Sequence, residues 1–190
     1  MASQFPIKHV FITGPPGVGK TTIVQKVIEE VKALSIPVKG FVTAEVRSGG
    51  KRSGFDIISL TGDRGNLSRI GSNKPGPRVG QYVVDVKSFE HVALQALELP
   101  PAGKTIMVID EIGKMELFSQ TFIQVVGKLL RQDRVTLFGT IPIQKGKPLS
   151  LVEEIRNRDD VRVFTLSRGN RDDIMPEIFA AVQKSYKEGT

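Results

Sequence analysis

The hydrophobic residues of the chain fall into short continuous runs that are separated by amphipathic stretches. Four runs cover residues 8–13 (KHVFIT), 105–110 (TIMVID), 134–140 (RVTLFGT) and 161–166 (VRVFTL), and such runs are typical of strands buried on both faces. Elsewhere, hydrophobic residues recur every three or four positions, which predicts helices over 21–34, 88–99, 115–130, 148–157 and 171–186. Ser88 is predicted to cap the second of these helices, and Pro176 to lie in the first turns of the last. Because strands alternate with helices, we expect an α/β fold with a mostly parallel sheet and helices on both faces.

A β-rich segment lies between the first helix and the second. Residues 38–47 and 52–60 are joined by Ser-Gly-Gly-Lys, which predicts a β-hairpin added to the sheet. Residues 61–80 are rich in Gly, Pro, Asn and Arg and are predicted to form a long loop, and a further strand is expected over 81–86. A chain of 190 residues without internal repeats is expected to form a single domain, residues 1–190.

The first strand and the first helix enclose the sequence GPPGVGKTT, which matches the phosphate-binding pattern G-x-x-x-x-G-K-[ST]. In such a loop the backbone N–H groups surround a polyphosphate, and glycines let the backbone approach it closely. Proline has no N–H, so the two prolines are expected to stiffen the outer rim while residues 17–21 donate. Lys20 is predicted to contact the β- and γ-phosphates as a catalytic residue, and the Thr21 hydroxyl to bind Mg²⁺. The nucleotide-binding residues predicted in this segment are Gly14, Pro15, Pro16, Gly17, Val18, Gly19, Lys20, Thr21 and Thr22.

A P-loop enzyme also needs an acid at the end of a neighbouring strand. The run TIMVID ends in Asp110, which is followed by Glu111, and ligands of doubly wound sheets lie beyond the carboxyl ends of the strands. Asp110 is therefore predicted to be the second metal-binding residue, acting on a magnesium-bound water. Glu111 is predicted to be catalytic, orienting or deprotonating the attacking water. The alternative for Glu111 is an exposed acid in a loop.

Several basic residues are candidates for contacts with the phosphates or the base. An arginine often stabilises the charge of the transferred phosphate, and Arg78, Arg156 and Arg158 are the candidates, each with an ordinary surface or ion-pair role as the alternative. Lys114 lies close to Glu111 in the sequence and is a further candidate for a phosphate contact. Arg171 follows the last strand, where related nucleotide-binding folds often frame the base, and is predicted to stack on it.

Composition limits the classes of partner and compartment. The chain has no cysteine, which excludes disulfides, thiol catalysis and cysteine-ligated zinc and leads us to expect a cytoplasmic protein. No apolar run approaches the roughly 18 residues of a membrane helix, so no membrane partner is expected. The formal net charge is +7, which favours anionic partners such as nucleotides. The basic residues are scattered, so nucleic-acid binding is not expected, and a monomer is the default.

Five segments together resemble a known family. GPPGVGKTT, RVGQYVV, IDEIGKMELFSQ, GTIP and VEEIRNR are similar to the cancer-related nucleoside-triphosphatase family of small P-loop enzymes, over about residues 8 to 185. The resemblance implies a P-loop NTPase fold and Mg²⁺-dependent hydrolysis of nucleoside triphosphates to the diphosphate and phosphate, with broad base tolerance. It also implies that residues 106–113 border the nucleotide, which adds Ile112 and Gly113 to the predicted binding residues.

Two other functions remain open at this point. A small-molecule or nucleotide kinase uses the same fold and loop, and the segment GKPLSLVEEIRNR could then act as its lid. The guanine-specificity signature Asn-Lys-x-Asp is missing, so nothing indicates a guanine-specific switch. An RNA-linked nucleotide switch, suggested by the basic charge, would require RNA binding that weakens steeply with salt.

Overall fold

One mixed sheet contains all nine strands of the described chain. The structure, a computed structural model, describes residues 6–189. The strands are β1 (His9–Thr13), β2 (Val38–Ser48), β3 (Lys51–Ser59), β4 (Arg64–Ile70), β5 (Arg78–Val79), β6 (Tyr82–Val84), β7 (Thr105–Asp110), β8 (Val135–Thr140) and β9 (Val161–Thr165). The helices are α1 (Lys20–Ala33), α2 (Val86–Ala96), α3 (Gln120–Leu129), α4 (Ser150–Asn157) and α5 (Met175–Glu188).

The order of the strands brings four strand ends to one edge. The sheet runs β5-β6-β4-β3-β2-β7-β8-β1-β9, and β2, β7, β8, β1 and β9 are mutually parallel. The carboxyl ends of β1, β7, β8 and β9 therefore lie side by side. The chain leaves these ends after Thr13, Asp110, Thr140 and Thr165, and ligands of such sheets bind at this edge.

Helices cover both faces of the sheet, as the sequence predicts. Side chains of α1 and α5 share one hydrophobic cluster with β1, and those of α2, α3 and α4 share a second cluster on the opposite face. Continuous hydrophobic runs such as β7 and β8 are buried along their whole length, because each is covered from both sides. None of the helices within residues 6–189 is long and apolar enough to cross a membrane.

The antiparallel part of the sheet is larger than the predicted hairpin. β2 and β3 form that hairpin around Gly49 and Gly50, whose φ angles of 56° and 77° suit a tight turn. The prediction of a long loop over 61–80 is wrong, because β4 and β5 lie within it and extend the sheet together with β6. Polar residues occur in β4 for a specific reason: Arg64 and Arg69 both pair with Asp56 of β3, at 2.6 and 2.5 Å.

Three predicted helix boundaries are also corrected. Asp85 rather than Ser88 caps α2, since the Asp85 carboxylate accepts a hydrogen bond from the Ser88 N–H at 3.0 Å. The helix predicted over 115–130 is two elements, a 3₁₀ turn (Glu116–Phe118) and α3, because Ser119 adopts an extended conformation and caps α3 through Phe122 N–H. The last helix begins at Met175, after a turn, and has a proline in its first turn as expected.

Candidate active site

The loop between β1 and α1 forms an open cradle of backbone N–H groups. Gly17 and Gly19 have φ angles of 73° and 110°, a region that favours glycine, and a Cβ on either would meet no atom of the described chain within 4 Å. The helix begins at Lys20 without a side-chain cap. The N–H groups of residues 19–22 consequently have no hydrogen-bond acceptor within residues 6–189. Free amides at a helix N-terminus are suited to an anion.

The rest of the loop is anchored to the protein. Val18 is a buried core residue that packs beside α1, and its N–H donates to Pro15 O at 3.3 Å, so this amide is partly engaged within the loop. Pro15 and Pro16 are exposed, which places them on the outer rim. Gly14 lies against the segment after β9: a Cβ there would come within 2.6 Å of Leu166 O. The loop is thus held at both ends while its middle remains open.

Lys20 already lies over the loop. Its ammonium group donates to Gly14 O at 2.8 Å and to Pro15 O at 3.1 Å. Both acceptors are carbonyls of the same loop, so the charge is held beside the free amides rather than pointing to solvent. A point charge on a flexible stem in this position suits a phosphate ligand.

Thr21, Asp110 and Thr140 form a hydrogen-bonded cluster at the sheet edge. The Asp110 carboxylate accepts from the Thr21 hydroxyl at 2.7 Å and from the Thr140 hydroxyl at 2.5 Å. Asp110 is almost completely buried. Burial raises its pKa above the ordinary value, while the bonds from Thr140 and Thr21 and the charge of Lys20 act in the opposite direction. Two predicted metal-binding residues from distant parts of the chain are therefore in direct contact.

The donor set at this point fits Mg²⁺. A hydroxyl and a carboxylate are hard oxygen ligands, and Mg²⁺ in nucleotide sites is commonly bound by one or two protein oxygens while phosphates and water complete its shell. The adjoining Gly17–Gly19 cradle offers the open space that a phosphate group would occupy. No cluster of three or more His, Cys, Asp or Glu side chains suited to a metal occurs within the described residues.

Glu111 follows Asp110 and is only partly buried. No described residue donates a hydrogen bond to its carboxylate, in contrast to Asp110. Burial raises the pKa of Glu111, the charge of Asp110 raises it further, and the charge of Lys20 lowers it. A carboxylate that is free of protein partners and has a raised pKa is suited to accept a proton from water.

The segment after Glu111 is tightly bonded. Ile112 is a core residue whose N–H donates to Thr140 O at 3.0 Å. Gly113 donates its N–H to the Glu116 carboxyl at 3.1 Å and accepts from Leu117 N–H at 3.0 Å. Ile112 and Gly113 thus lie beside the Asp110 cluster through their backbone, and the Ile112 side chain points into the core.

Arg171 lies on the segment that leaves β9 beside the phosphate loop. Leu166 N–H donates to Thr13 O at 2.7 Å, which joins this segment to the end of β1. Asn170 shapes the turn, accepting from Ser167 N–H at 2.8 Å and donating to Thr165 O at 2.9 Å. The Arg171 side chain is about half exposed and lies 4.0 Å from Asp172, so its guanidinium is available at the carboxyl edge of the sheet.

The other basic candidates are distributed differently. Arg78 is exposed on β5, at the edge of the sheet remote from β1. Arg158 pairs with Asp160 at 2.8 Å, and Asp160 O accepts from His9 N–H at the start of β1, so Arg158 lies at the amino edge. Arg156 donates to Pro142 O at 2.7 Å, two residues beyond the end of β8. Lys114 is exposed on the turn after Glu111.

Sequence reasoning missed two residues of the site. Thr140 ends a buried parallel strand next to β7, and a polar residue at the carboxyl end of such a strand was the signal that could have identified it. Glu116 is only 5% exposed, although the sequence gives no sign of this, because an acid two residues after a lysine is typical of a solvated helix surface.

Comparisons with known proteins identify a family and several relatives. A family model described as NTPase matches residues 9–179. The cancer-related nucleoside-triphosphatase homolog of Bos taurus is 56% identical over 188 residues, covering 95% of this chain and 99% of the relative. The solution structure of a human cancer-related nucleoside triphosphatase is 53% identical, with a TM-score of 0.83 over 94% of this chain and 98% of that chain.

A more distant solved relative has the same fold. The crystal structure of THEP1 from the hyperthermophile Aquifex aeolicus is 36% identical, with a TM-score of 0.78 over 92% of this chain and 99% of that chain. The matches extend over both the parallel strands and the antiparallel extension, and they confirm the predicted α/β fold and the predicted resemblance. This chain belongs to the NTPase family.

Proposed function

We propose that the protein hydrolyses nucleoside 5′-triphosphates to the diphosphate and phosphate in a Mg²⁺-dependent reaction with broad base tolerance, accepting ATP, GTP, CTP and UTP. One observation carries the proposal: the Thr21 hydroxyl and the Asp110 carboxylate are 2.7 Å apart, and the next residue, Glu111, has a carboxylate that no described residue engages. The names of the bovine and human relatives support the same activity.

The polyphosphate binds in the loop between β1 and α1. Its oxygens accept hydrogen bonds from the free N–H groups of Gly19, Lys20, Thr21 and Thr22, and the partial positive charge of the α1 N-terminus adds to the attraction. Lys20 extends from its position above Gly14 O to the β- and γ-phosphates. Thr21, directly, and Asp110, through a metal-bound water, would hold Mg²⁺, which would neutralise charge on the same phosphates.

Glu111 acts on the attacking water. A water oxygen attacks the γ-phosphorus in line with the β–γ bridging oxygen, one water proton passes to the Glu111 carboxylate, and the bond between the γ-phosphorus and the bridging oxygen breaks. The electron pair of that bond leaves with the diphosphate, whose negative charge faces Lys20. The raised pKa of Glu111 brings this base closer to neutral pH, where proton transfer is effective.

Broad base tolerance follows from the way the base would be held. Arg171 presents a half-exposed guanidinium on the segment after β9, and stacking on a planar cation does not distinguish one base from another. Arg156 is the remaining arginine candidate on the carboxyl side of β8. Arg78 and Arg158 lie elsewhere on the sheet, and we assign neither to the reaction.

We further propose a cytoplasmic monomer whose partners are nucleoside triphosphates rather than nucleic acid. In the described chain, only Leu34, Phe118 and Ile143 are large hydrophobic residues with substantial exposure, and isolated residues of this kind are normal on a monomer surface. Equilibrium sedimentation and fractionation of cells test these two statements directly.

Steady-state phosphate release tests the activity and separates it from the kinase alternative. Wild-type protein is assayed with ATP, GTP, CTP, UTP and the deoxy forms, with Mg²⁺ or with EDTA, and with or without nucleoside and nucleotide acceptors. We expect release from all four ribonucleotides with Mg²⁺, little with EDTA, and no dependence on an acceptor. Transfer to an acceptor with little release to water would contradict the proposal and favour a kinase.

A further inference from the structure

Glu116 is a buried acid without a basic partner. It is 5% exposed, and no lysine, arginine or histidine of the described chain forms an ion pair with it. Within the described chain, only backbone groups donate to its carboxyl. The Gly113 N–H does so at 3.1 Å, and the N–H of Glu116 itself is the second donor. Burial raises the pKa of Glu116 well above the usual range, and the charge of nearby Glu111 raises it further. Burying an acid costs free energy unless hydrogen bonds compensate for the lost water, and the Gly113 N–H supplies such a bond here.

Gly113 links Glu116 to Glu111. A Cβ on Gly113 would come within 2.4 Å of Glu111 Oε1, so the Glu111 carboxylate lies directly across the Cα of Gly113. Glu111 has no hydrogen bond of its own to a described residue, and its direction therefore depends on this packing. The position of Gly113 depends in turn on its two bonds, from its N–H to Glu116 and from Leu117 N–H to its carbonyl oxygen.

We infer that Glu116 is a positioning residue for the hydrolytic step: by binding the Gly113 N–H, it holds the glycine against which the Glu111 carboxylate rests. This inference depends on the proposed role of Glu111. Because Glu116 is buried and binds the Gly113 backbone, we assign it no contact with the nucleotide. Its loss is therefore expected to lower kcat without weakening nucleotide binding.

Three single variants test the inference by steady-state phosphate release with Mg²⁺ and ATP. Glu116→Ala removes the acceptor and is expected to lower kcat by about 10- to 100-fold with KM within about threefold of wild type, the scale associated with a misplaced catalytic group. Glu116→Gln keeps a neutral acceptor of the same length and is expected to restore most of the lost kcat. Leu67→Ala is the matched control, because Leu67 is a buried residue of β4 whose loss destabilises the fold away from the site.

A double-mutant cycle then asks whether Glu116 acts through Glu111. In a Glu111→Gln background, Glu116→Ala is expected to cause no further loss of the residual kcat, since the group that it positions is already gone. If the alanine variant does not fold, Glu116→Asp takes its place, because the shorter side chain withdraws the acceptor from Gly113.

The outcomes separate the two proposals. A wild-type protein that releases no phosphate would refute the proposed function itself. An active wild type whose Glu116→Ala variant keeps a kcat within twofold would refute only the role of Glu116. That role is equally refuted if Glu116→Gln is as impaired as Glu116→Ala, if the control Leu67→Ala shows the same kcat loss, or if the loss persists in full in the Glu111→Gln background.

Discussion

At the residue scale, the site depends on backbone groups as much as on side chains. Gly17 and Gly19 hold φ angles that other residues adopt at a cost, and nothing in the described chain fills the space beside them. Lys20 is held by carbonyls of the same loop, and Thr21 by Asp110. The protein's own contacts therefore hold the cradle in shape, which lowers the ordering cost of binding.

A pair of glycine substitutions tests this cradle. Gly19→Ala and Gly62→Ala introduce a side chain at similar φ angles, 110° and 102°, and neither Cβ meets an atom of the described chain within 4 Å. We expect both variants to lose about 1–3 kcal/mol of stability through backbone strain. Only Gly19→Ala should weaken nucleotide binding, measured by calorimetric titration. Equal nucleotide affinity in the two variants would show that the amides of this loop do not bind phosphate.

The residues of the loop could be predicted because their spacing is set by chemistry. The motif specifies the position of Lys20 and Thr21 relative to the glycines, and the same reasoning places Asp110 at the end of a neighbouring strand. Thr140 and Glu116 could not be predicted in the same way, since each acts through a partner distant in sequence or through a buried turn. Their roles become visible only when the distances to Asp110 and Gly113 are known.

At the scale of elements, hydrophobic runs predicted four of the parallel strands. Polar composition, in contrast, led to the wrong prediction of a loop where β4 and β5 lie. β7 and β8 are buried throughout, so their sequences carry an unambiguous signal. β4 carries arginines that pair with Asp56 on the neighbouring strand, and a charged residue satisfied by such a pair resembles a loop residue in sequence. Cross-strand pairing is a tertiary property, so composition could not reveal it.

The cap of α2 gives a test at this scale. Asp85 accepts from the Ser88 N–H, so Asp85→Ala is expected to lower the free energy of unfolding by about 1 kcal/mol. Ser88→Ala removes the residue that the sequence suggested as the cap and is expected to have the smaller effect. Denaturant unfolding of both variants measures the difference. A larger loss in Ser88→Ala would mean that the cap is assigned to the wrong residue.

At the scale of the whole molecule, the sheet gathers the site from four separate strands. Residues at the ends of β1, β7, β8 and β9 meet because these strands are parallel neighbours. No local sequence pattern specifies the order of the strands. The sequence therefore indicated the strand ends at which we propose the chemistry, while the contact between Thr140 and Asp110 required the observed order.

A buried histidine of the sheet makes the free energy of unfolding depend on pH. His9 of β1 is fully buried: its Nδ1 accepts from Leu137 N–H at 3.0 Å, and its Nε2 lies 3.2 Å from Leu130 O. Burial lowers the pKa of His9 from 6.5 to about 4, against the opposing charge of Asp160. The unfolded chain consequently binds a proton that the folded protein does not as the pH falls through this window.

We expect the free energy of unfolding to fall by on the order of 3 kcal/mol from this group as the pH decreases from 6.5 to about 4. Urea unfolding across that range measures it. His9→Gln, which cannot take up the proton, should show a correspondingly shallower dependence, whereas His91→Gln, at an exposed position, should follow the wild type. Identical pH profiles for wild type and His9→Gln would contradict this origin.

The most direct test compares nucleotide binding with single-turnover hydrolysis in the Glu111→Gln protein. The account predicts that ATP with Mg²⁺ binds with a Kd within about threefold of wild type while the rate of phosphate formation falls by about 100-fold or more, the scale of lost general-base catalysis. Lys20→Ala, in contrast, should lose binding itself. Hydrolysis at the wild-type rate by Glu111→Gln would show that another group activates the water, and would contradict the central assignment.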